Sequence, residues 1–379
     1  MGHLYVHIPF CRTRCAYCDF ASEALKPHQR AGTVEQYVGA VRNELAARAQ
    51  AHLDGGSFST IYLGGGTPTV LPLEPLLELV HDLASRLASD GEFTIEANPG
   101  TVDAVSLRRL AEAGTTRLSL GVQSFSPTGR AALGRRVTQE EIVGALDAVT
   151  AVGWRDWNLD LVFGIPGQVW QEAAADLDSA VAAGPTHISL YDLTYTASYE
   201  RQVKARMGAG VRKAAGALSE RHYAEAVARL EAAGYRRYEI SNFALPGHEC
   251  RHNQAYWRGE DYLGLGAAAV STLGGERLTN PRTAADYLAG RPPQREILSG
   301  AVRLWEKAML GLRTREGVDE ETVAPVLDAG ALGRLSAQGC LERRYGKLRV
   351  NPGFLDVSNS VIGTLLVAPG GLSSYAGWR

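Results

Sequence analysis

The feature that most constrains the fold is an alternation of short apolar runs with longer segments of helical periodicity between residues 4 and 193. This alternation is typical of parallel strand-helix units, because parallel strands need a crossover connection that is usually a helix. Strands are predicted at 4–8, 60–63, 93–96, 117–121, 158–162 and 187–191. Helices are predicted at 34–51, 73–88, 105–113, 140–149 and 170–183. Gly114, Gly153 and Gly184 follow three of these helices as expected C-caps. Six such units predict an α/β fold with an open, partial (β/α)6 barrel of the TIM type.

The pattern changes after residue 200. A basic stretch rich in Gly and Ala at 201–216 precedes a predicted helix at 218–233 and a short predicted strand at 238–241. Residues 262–271 are rich in small side chains and are expected to pack closely against another segment. Pro292 and Pro293 mark a boundary, after which segments at 298–312, 322–327, 332–337, 348–350 and 361–367 predict an α+β or winged-helix-like domain. We therefore predict a barrel over 1–200, a connecting region over 201–292 and a C-terminal domain over 293–379.

The composition is that of a globular protein without a bulk electrostatic preference. Hydrophobic residues make up 45% of the 379, charged residues make up 21%, and the net charge is -2 at pH 7. No bulk attraction to nucleic acid or to an anionic membrane is expected. Neither a signal peptide nor an apolar run of about 18 residues is recognisable. Because Cys250 and Cys340 are isolated, a disulfide framework is not expected, and a reducing cytoplasm is the predicted location.

Three of the five cysteines lie together, at Cys11, Cys15 and Cys18, directly after the first predicted strand. Thiolates favour soft metal sites such as zinc or iron-sulfur clusters. A closed zinc site and a [4Fe-4S] cluster both need four ligands. Because no fourth cysteine lies nearby, one metal position is expected to stay open for a ligand from outside the protein. The alternatives are a zinc site and three thiols that bind no metal.

Polar and glycine-rich residues follow the predicted strands, at the barrel end where sites are usually built. Strand two runs into the glycine-rich segment 64–68, strand three ends at Glu96, strand four leads to Gln123 and strand five contains Asp160. Glycines permit close approach of a small polar ligand, although such a run is also a common turn. Glu96 and Asp160 would be costly to bury alone, so they bind ligand hydroxyls or form structural ion pairs with arginine.

The C-x3-C-x2-C spacing, with Tyr17 before the last cysteine, resembles the radical S-adenosylmethionine (SAM) superfamily. The resemblance implies that Cys11, Cys15 and Cys18 hold a [4Fe-4S] cluster whose fourth iron is chelated by SAM. It extends to local matches at 95–98, 121–125, 133–136 and 159–168. The residues that it implies in SAM binding, or beside the cluster, are Tyr5, Gly65, Gly66, Thr67, Glu96, Gln123, Arg135 and Asp160.

The whole set, in this order, resembles the oxygen-independent coproporphyrinogen III oxidase group and, within it, the HemW-type heme chaperones. Three features favour the chaperone branch. The oxidase carries a further cysteine two residues after its third ligand, where this sequence has Phe20. The oxidase also has an N-terminal extension, whereas the first strand here starts almost at once. Finally, residues 252–257 match the H-N-x-x-Y-W motif of the chaperones.

This resemblance implies heme as the carried ligand. Heme needs an axial ligand and an apolar or aromatic wall, which His252 or Cys250, with Tyr256 and Trp257, would supply. The alternative for His252 is a hydrogen-bonded packing role among aromatic rings. Related sequences read G-L-G-A-G-A-H-S at 264–271, where this sequence replaces a glycine and, at Val270, a histidine. The heme assignment therefore depends more strongly on His252.

These features predict a cytoplasmic heme chaperone that binds a [4Fe-4S] cluster, SAM and heme. It would deliver heme to an acceptor hemoprotein, such as a membrane-bound respiratory protein, and would reach the membrane only through that partner. The resemblance also implies an electron donor such as a flavodoxin or ferredoxin, and it allows a homodimer; nucleic acid is not an expected partner. The alternative is a radical SAM enzyme, of the coproporphyrinogen III dehydrogenase type or with another substrate, that acts through a 5′-deoxyadenosyl radical. Phe20 argues against the porphyrinogen case, no catalytic residue is assigned, and a cluster that only stabilises the fold is a third reading.

Overall fold

The structure is a computed structural model that describes residues 2–25, 30–53, 56–207 and 220–369. All six predicted strands of the barrel are present. The strands are β1 (Gly2–Ile8), β2 (Phe10–Cys11), β3 (Glu23–Ala24), β4 (Phe58–Gly65), β5 (Leu87–Ala97), β6 (Arg117–Gln123), β7 (Asp156–Phe163), β8 (His187–Asp192), β9 (Arg236–Arg237), β10 (Asn242–Ala244), β11 (Tyr262–Leu265), β12 (Val270–Leu273), β13 (Glu276–Thr279), β14 (Gln294–Ile297), β15 (Val318–Asp319), β16 (Leu341–Arg344) and β17 (Lys347–Val350).

The predicted barrel helices are also present, with additional short ones. The helices are α1 (Arg30–Leu53), α2 (Leu73–Ala84), α3 (Ala104–Glu112), α4 (Pro127–Ala132), α5 (Gln139–Val152), α6 (Trp170–Ala183), α7 (Ala197–Met207), α8 (Glu220–Ala232), α9 (Arg251–Trp257), α10 (Ala284–Leu288), α11 (Gly300–Gly311), α12 (Glu320–Val323), α13 (Ala329–Ala337) and α14 (Ser358–Leu365). Short 3-10 helices lie at Pro68–Val70, Ala324–Val326 and Pro352–Val357. Gly153 and Gly184 cap α5 and α6 in the left-handed conformation, as predicted.

Six parallel strands form the centre of the fold. β1, β4, β5, β6, β7 and β8 lie side by side in that order and pair in parallel. Leu4, Val6 and Ile8 of β1 are buried in the main apolar core, which includes residues of the surrounding helices. Alternate residues of a strand point to opposite faces, so the odd-numbered residues of β1 face the inside of the curved sheet. The sheet is open, and the predicted α/β fold with a partial barrel is confirmed.

The sheet continues beyond both edges of this parallel core. β11 pairs in parallel with β1, and β12, β13 and β14 follow in antiparallel order. A Cβ on Gly264 would lie 2.1 Å from Val270 O, and one on Gly266 would lie 2.5 Å from His7 O. The small residues of 262–271 are therefore required by close packing, as the sequence predicts.

One predicted helix end and one predicted strand are wrong. α2 ends at Ala84 rather than at residue 88, because β5 already begins at Leu87, where it pairs with Phe58 of β4. The predicted strand at 238–241 is a tight connection between β9 and β10, in which the Tyr238 N–H donates to Asn242 O at 3.1 Å. Parts of the basic stretch and of the predicted helix, at 208–219, lie outside the described residues.

Residues 308–365 share a second apolar core. The elements α11, β15, α12, α13, β16 and β17 follow one another in the order of a winged helix, and the three strands form one antiparallel sheet. The buried Arg237 guanidinium joins this part to the barrel through an ion pair with Asp356 at 2.7 Å. In the described part of the chain, no helix is long and apolar enough to cross a membrane.

Ala268, in the turn between β11 and β12, has a backbone φ of 60°. This left-handed conformation costs a residue with a Cβ about 1–2 kcal/mol. We expect Ala268→Gly to raise the free energy of unfolding by about 0.5–1 kcal/mol, because relief of strain exceeds the added entropy of the unfolded chain. Urea unfolding measures the change. Ala267→Gly, at a buried neighbour without positive φ, should instead lower stability. An Ala268→Gly variant no more stable than the parent would contradict this account.

Candidate functional site

The cysteine loop leaves β1 at Ile8 and is closed by the parallel pairing of β2 with β3. The glycine-rich segment after β4 supports its base, since the Gly66 N–H donates to Ile8 O and the Thr67 N–H donates to Phe10 O, both at 2.8 Å. A Cβ on Gly66 would lie 2.5 Å from Phe10 O and 3.0 Å from Cys11 Sγ. The glycine run is therefore needed for close packing against the cysteine loop.

The surroundings of the three thiols suit thiolate ligands. Burial raises the pKa of Cys11 to about 11 and also raises the pKa of Cys15, so these thiols are protonated without metal and must release protons on binding it. Hydrogen bonds to sulfur stabilise a thiolate. The groups beside the sulfur atoms are Thr67 Oγ1 at 3.8 Å from Cys11, Arg135 Nη1 at 3.7 Å from Cys15, and Ser22 Oγ at 3.9 Å from Cys18.

The three cysteines are not arranged around a single metal ion. Within the described ranges, no three His, Cys, Asp or Glu side chains are arranged to hold one metal ion. A [4Fe-4S] cluster binds each thiolate at a different iron, so its ligands stand farther apart than those of a single ion. The donor set and the Gly66 contact fit three cluster ligands carried on one loop.

A series of hydrogen bonds connects the cysteine loop to the ends of the strands. Asn98, just after β5, donates from Nδ2 to Thr67 Oγ1 at 2.6 Å and accepts at Oδ1 from Arg135 Nη2 at 2.7 Å. Thr67 and Arg135 in turn contact Cys11 and Cys15. Asn98 therefore fixes both side chains that face these thiols, a role that the sequence does not predict although Asn98 lies in the local match at 95–98.

Two carboxyl groups lie beside this network. Glu96 accepts from the Gly65 N–H at 2.9 Å and from the Tyr62 hydroxyl at 2.8 Å, and burial raises its pKa to about 7. Asp160 accepts from Asn158 Nδ2 at 2.7 Å, and burial raises its pKa as well. Among the described residues neither carboxyl forms an ion pair with arginine. Both therefore keep acceptor capacity for the hydroxyl or amino groups of a ligand.

The other predicted SAM residues lie around these groups. Tyr5 stacks on Tyr62 with ring centroids 6.1 Å apart. Gly65 has a φ of 111°, and a Cβ there would lie 2.5 Å from the His7 ring. Gln123 ends β6 with a φ of 71°. The predicted residues thus form one set near Glu96, with Tyr5, Gly65 and Asp160, and another against the cysteine loop, with Gly66, Thr67 and Arg135.

A cavity of about 1200 Å³ extends from the cysteine loop along the inner face of the sheet. Phe20 lies at its wall and is 68% exposed. Aromatic rings line the cavity among polar and charged side chains, and such rings provide surface for a flat ligand. Besides Phe20, the aromatic residues are Tyr5, Tyr62, Tyr191, Tyr256, Trp257 and Tyr262.

Three of the four predicted heme residues line this cavity: His252, Tyr256 and Trp257. Cys250 does not line it, because its side chain is fully buried and its thiol donates to Glu92 Oε1 at 3.3 Å. The structure thus places Cys250 outside the cavity, in a position that supports the start of α9.

Glu92 of β5 holds the first turn of α9 in place. Its carboxylate accepts from the backbone N–H of Arg251 at 2.9 Å and from that of His252 at 3.0 Å. The first N–H groups of a helix have no partner within the helix, so this carboxylate provides one. Its negative charge also interacts favourably with the positive N-terminal end of the helix dipole. The contact determines where the His252 side chain enters the cavity.

Three histidines of the described ranges line the cavity, and two of them are hydrogen-bonded at both ring nitrogens. An imidazole that is bonded at both nitrogens has none left for an iron. The two are His7, bonded to Tyr5 OH and Ala21 O, and His3, bonded to Thr60 Oγ1 and Glu260 Oε2, with all four distances at 2.9 Å.

His252 differs from the other two. Its Nδ1 lies 2.8 Å from Thr60 Oγ1, and its ring packs on that of Tyr62 with centroids 5.1 Å apart. Burial lowers its pKa to about 3, so the imidazole is neutral. No described residue is hydrogen-bonded to its Nε2. Of the three imidazoles, His252 alone keeps a ring nitrogen for a ligand.

Glu239 is a further buried group at the cavity wall. It accepts from the Ser241 N–H at 3.2 Å through Oε1, while its Oε2 has no hydrogen-bond partner in the described part of the chain. Burial raises its pKa to about 7. A buried carboxyl in this state is neutral in mild acid and becomes a costly charge above neutrality.

We expect Glu239→Gln to stabilise the metal-free chain at pH 8 by about 1–3 kcal/mol and to have little effect at pH 4.5. The folded-state pKa of about 7 exceeds that of the unfolded chain, so the parent loses stability as the pH rises from about 4.5 through 7. The amide removes this loss because it carries no charge. Urea unfolding at both pH values measures the difference. The exposed Glu112→Gln is the control, and an equal effect of Glu239→Gln at both pH values would contradict the prediction.

The chain is similar to known proteins over most of its length. The radical SAM superfamily matches residues 5–180. A heme chaperone HemW from Synechocystis sp. is 40% identical, over 83% of this chain and 78% of the relative. A heme chaperone HemW from Escherichia coli is 38% identical, over 92% of this chain and 96% of the relative. The chain belongs to the HemW family.

A solved structure shares the fold of this HemW-family chain. Coproporphyrinogen III oxidase (HemN) from Escherichia coli, described as a radical SAM enzyme, has a TM-score of 0.79 with it and is 23% identical. The match covers 96% of this chain and 89% of that one. At this identity the likeness concerns the fold, which agrees with a radical SAM barrel followed by a C-terminal part.

The sequence does not reveal several polar residues of this HemW-family cavity, namely His3, Tyr62 and Glu239, or Thr60, which is hydrogen-bonded to His3 behind the cavity wall. The residue pattern of β1 does, however, indicate a polar face. In β1 the polar or aromatic residues His3, Tyr5 and His7 alternate with apolar ones, and such alternation marks a strand with two different faces. A fully buried parallel strand would instead read as a continuous apolar run.

Proposed function

We propose that this chain is a heme chaperone that binds heme in the 1200 Å³ cavity, with His252 Nε2 as the axial ligand, and delivers it to an acceptor hemoprotein. The observation that carries the proposal is the single unoccupied ring nitrogen among the three cavity histidines. The names of the HemW relatives support the same function. We propose a cytoplasmic location, with membrane contact only through the acceptor, and we allow for a homodimer.

The cavity offers contacts for each part of a heme. Tyr256 and Trp257 lie on the same helix as His252 and supply aromatic surface for the macrocycle. Arg282 and Arg291 also line the cavity, and guanidinium groups are good partners for the two propionates. Arg291 already pairs with Asp286 at 2.9 Å, whereas Arg282 forms no ion pair with any described residue. Arg282 is therefore the better candidate for a propionate.

We further propose that Cys11, Cys15 and Cys18 hold a [4Fe-4S] cluster and that SAM binds beside it. When bound, the cluster supplies an electron, received from a flavodoxin or ferredoxin. The residues of this chain would orient SAM through the Gly65 segment and the carboxyl of Glu96, while Thr67 and Arg135 stabilise the thiolates. Phe20 places an apolar ring at the cavity wall, which favours binding of a macrocycle over thiol chemistry.

Anaerobic reconstitution with iron and sulfide, followed by two assays of one sample, tests the function. The first assay measures heme binding and transfer to an apo-hemoprotein, and the second measures SAM-dependent consumption of coproporphyrinogen III under reducing conditions. We expect heme transfer without porphyrinogen consumption. Consumption of coproporphyrinogen III without heme transfer would refute the chaperone function and favour the radical SAM enzyme.

A further inference from the structure

Glu260, His3 and Thr60 form one hydrogen-bonded chain that ends at His252, the proposed heme ligand. Glu260 Oε2 lies 2.9 Å from His3 Nε2, His3 Nδ1 lies 2.9 Å from Thr60 Oγ1, and Thr60 Oγ1 lies 2.8 Å from His252 Nδ1. The strand register explains the central contact, because His3 of β1 is the direct neighbour of Thr60 in β4. Glu92, the neighbour of Thr60 in β5, holds the first turn of α9 and hence His252.

The direction of each hydrogen bond follows from the chemistry of the groups. The Glu260 carboxylate can only accept, so His3 Nε2 carries a hydrogen. A neutral imidazole has one N–H, so His3 Nδ1 is an acceptor and receives the hydrogen of the Thr60 hydroxyl. A hydroxyl has one hydrogen, so the Thr60 oxygen can only accept from His252. The Nδ1 of His252 therefore carries the proton, and its Nε2 has a free lone pair.

We infer that Glu260, His3 and Thr60 select the tautomer of His252 in which Nε2 is the metal-binding atom. They are positioning residues, since His252 alone would contact the iron. The opposite tautomer would present an N–H to the iron and could not bind it. Partners that fix the tautomer of a ligand histidine are worth about 10–100-fold in metal affinity.

Burial protects this arrangement. Thr60 is 1% exposed and His3 is 9% exposed, so bulk water cannot readily replace the hydroxyl between the two rings. Tyr62 packs against His252 and restricts the plane of its ring. The effect on heme rests on the proposed function, whereas the tautomer is a property of the heme-free chain and can be measured without heme.

Nitrogen-15 NMR of the histidine-labelled, heme-free protein at pH 8, where an ordinary imidazole is neutral, reports which ring nitrogen is protonated. The spectrum of His252→Ala identifies the His252 signals. In the parent we expect His252 to be protonated at Nδ1 and His3 at Nε2. Thr60→Val removes the hydroxyl at similar volume and should give a mixture of tautomers at His252, whereas Thr60→Ser keeps the hydroxyl and should retain the parental tautomer. Heme titration should show about 10–100-fold weaker binding for the valine variant only.

Glu260→Ala, at a partly exposed position, tests the other end of the chain. His3 and, through Thr60, His252 should then each populate both neutral tautomers. Unchanged spectra would show that Glu260 does not take part in tautomer selection. A parental His252 protonated at Nε2, or an unchanged tautomer in Thr60→Val, would overturn the inference as a whole. A parent with the expected tautomers that binds heme no better than His252→Ala would instead refute the heme site and leave tautomer selection standing.

Discussion

Replacing Cys11, Cys15 and Cys18 together by alanine is expected to lower the iron content of the reconstituted protein from about four atoms per chain to nearly none. The reason is that these three thiols are the cluster ligands proposed here and lie on one loop. The other two cysteines cannot take their place, because Cys250 is buried against Glu92 and Cys340 lies in the C-terminal core. Iron and sulfide analysis, with the visible absorbance of the cluster, measures the loss.

The two remaining cysteines provide a matched control for this experiment. Cys250→Ala combined with Cys340→Ala also removes thiols, but it should leave the iron content and the cluster absorbance at the level of the parent. Full iron content in the triple variant would refute the ligand assignment. Loss of iron from the folded double variant would show that a cysteine outside the loop takes part.

His252→Ala is expected to weaken heme binding by about 100-fold or more and to abolish the absorption spectrum of histidine-ligated heme. The effect is large because His3 and His7, the other cavity histidines in the part of the chain that the structure describes, are each bonded at both ring nitrogens. The cluster absorbance should not change, since His252 contacts Thr60 and Tyr62 and not the cysteine loop. Titration of the reconstituted protein with heme measures both quantities.

His7→Phe is the matched control for the heme experiment. It removes an imidazole from the same cavity and replaces it by a ring of similar size, yet it should retain the histidine-ligated heme spectrum. Unchanged heme affinity in His252→Ala would show that the ligand has been misassigned. Loss of the spectrum in His7→Phe, with His252 present, would assign the iron to His7.

Contiguous features of the site could be predicted from the sequence. The spacing of the three loop cysteines and the glycine run at 64–68 are local sequence features. The strands before Glu96 and around Asp160 are recognisable as short apolar runs. The carboxyl ends of parallel strands lie at one end of a barrel, which was enough to predict that these groups converge.

The heme end of the cavity could not be predicted in the same way. The contacts among His3, Thr60, His252 and Glu260 join residues that are 57, 192 and 257 positions apart. A shift of one residue in the pairing of β1 with β4 would turn His3 to the opposite face of the sheet. Cys250 lies beside the H-N-x-x-Y-W motif in the sequence, which suggested a heme ligand. Its thiol instead contacts Glu92, a strand residue distant in sequence, outside the cavity.

Tyr62 contacts a residue of each proposed binding site. Its hydroxyl donates to Glu96, one of the proposed SAM residues, and its ring packs on His252, the proposed heme ligand. A ligand that takes the carboxyl of Glu96 away from this hydroxyl would change the position of the Tyr62 ring against His252. Thermodynamic linkage makes such an influence reciprocal: whatever factor SAM applies to the affinity for heme, heme must apply to the affinity for SAM. If both ligands bind as proposed, this tyrosine side chain would give the two binding events a shared free energy, and loading and release of heme would depend on the occupancy of the proposed SAM site.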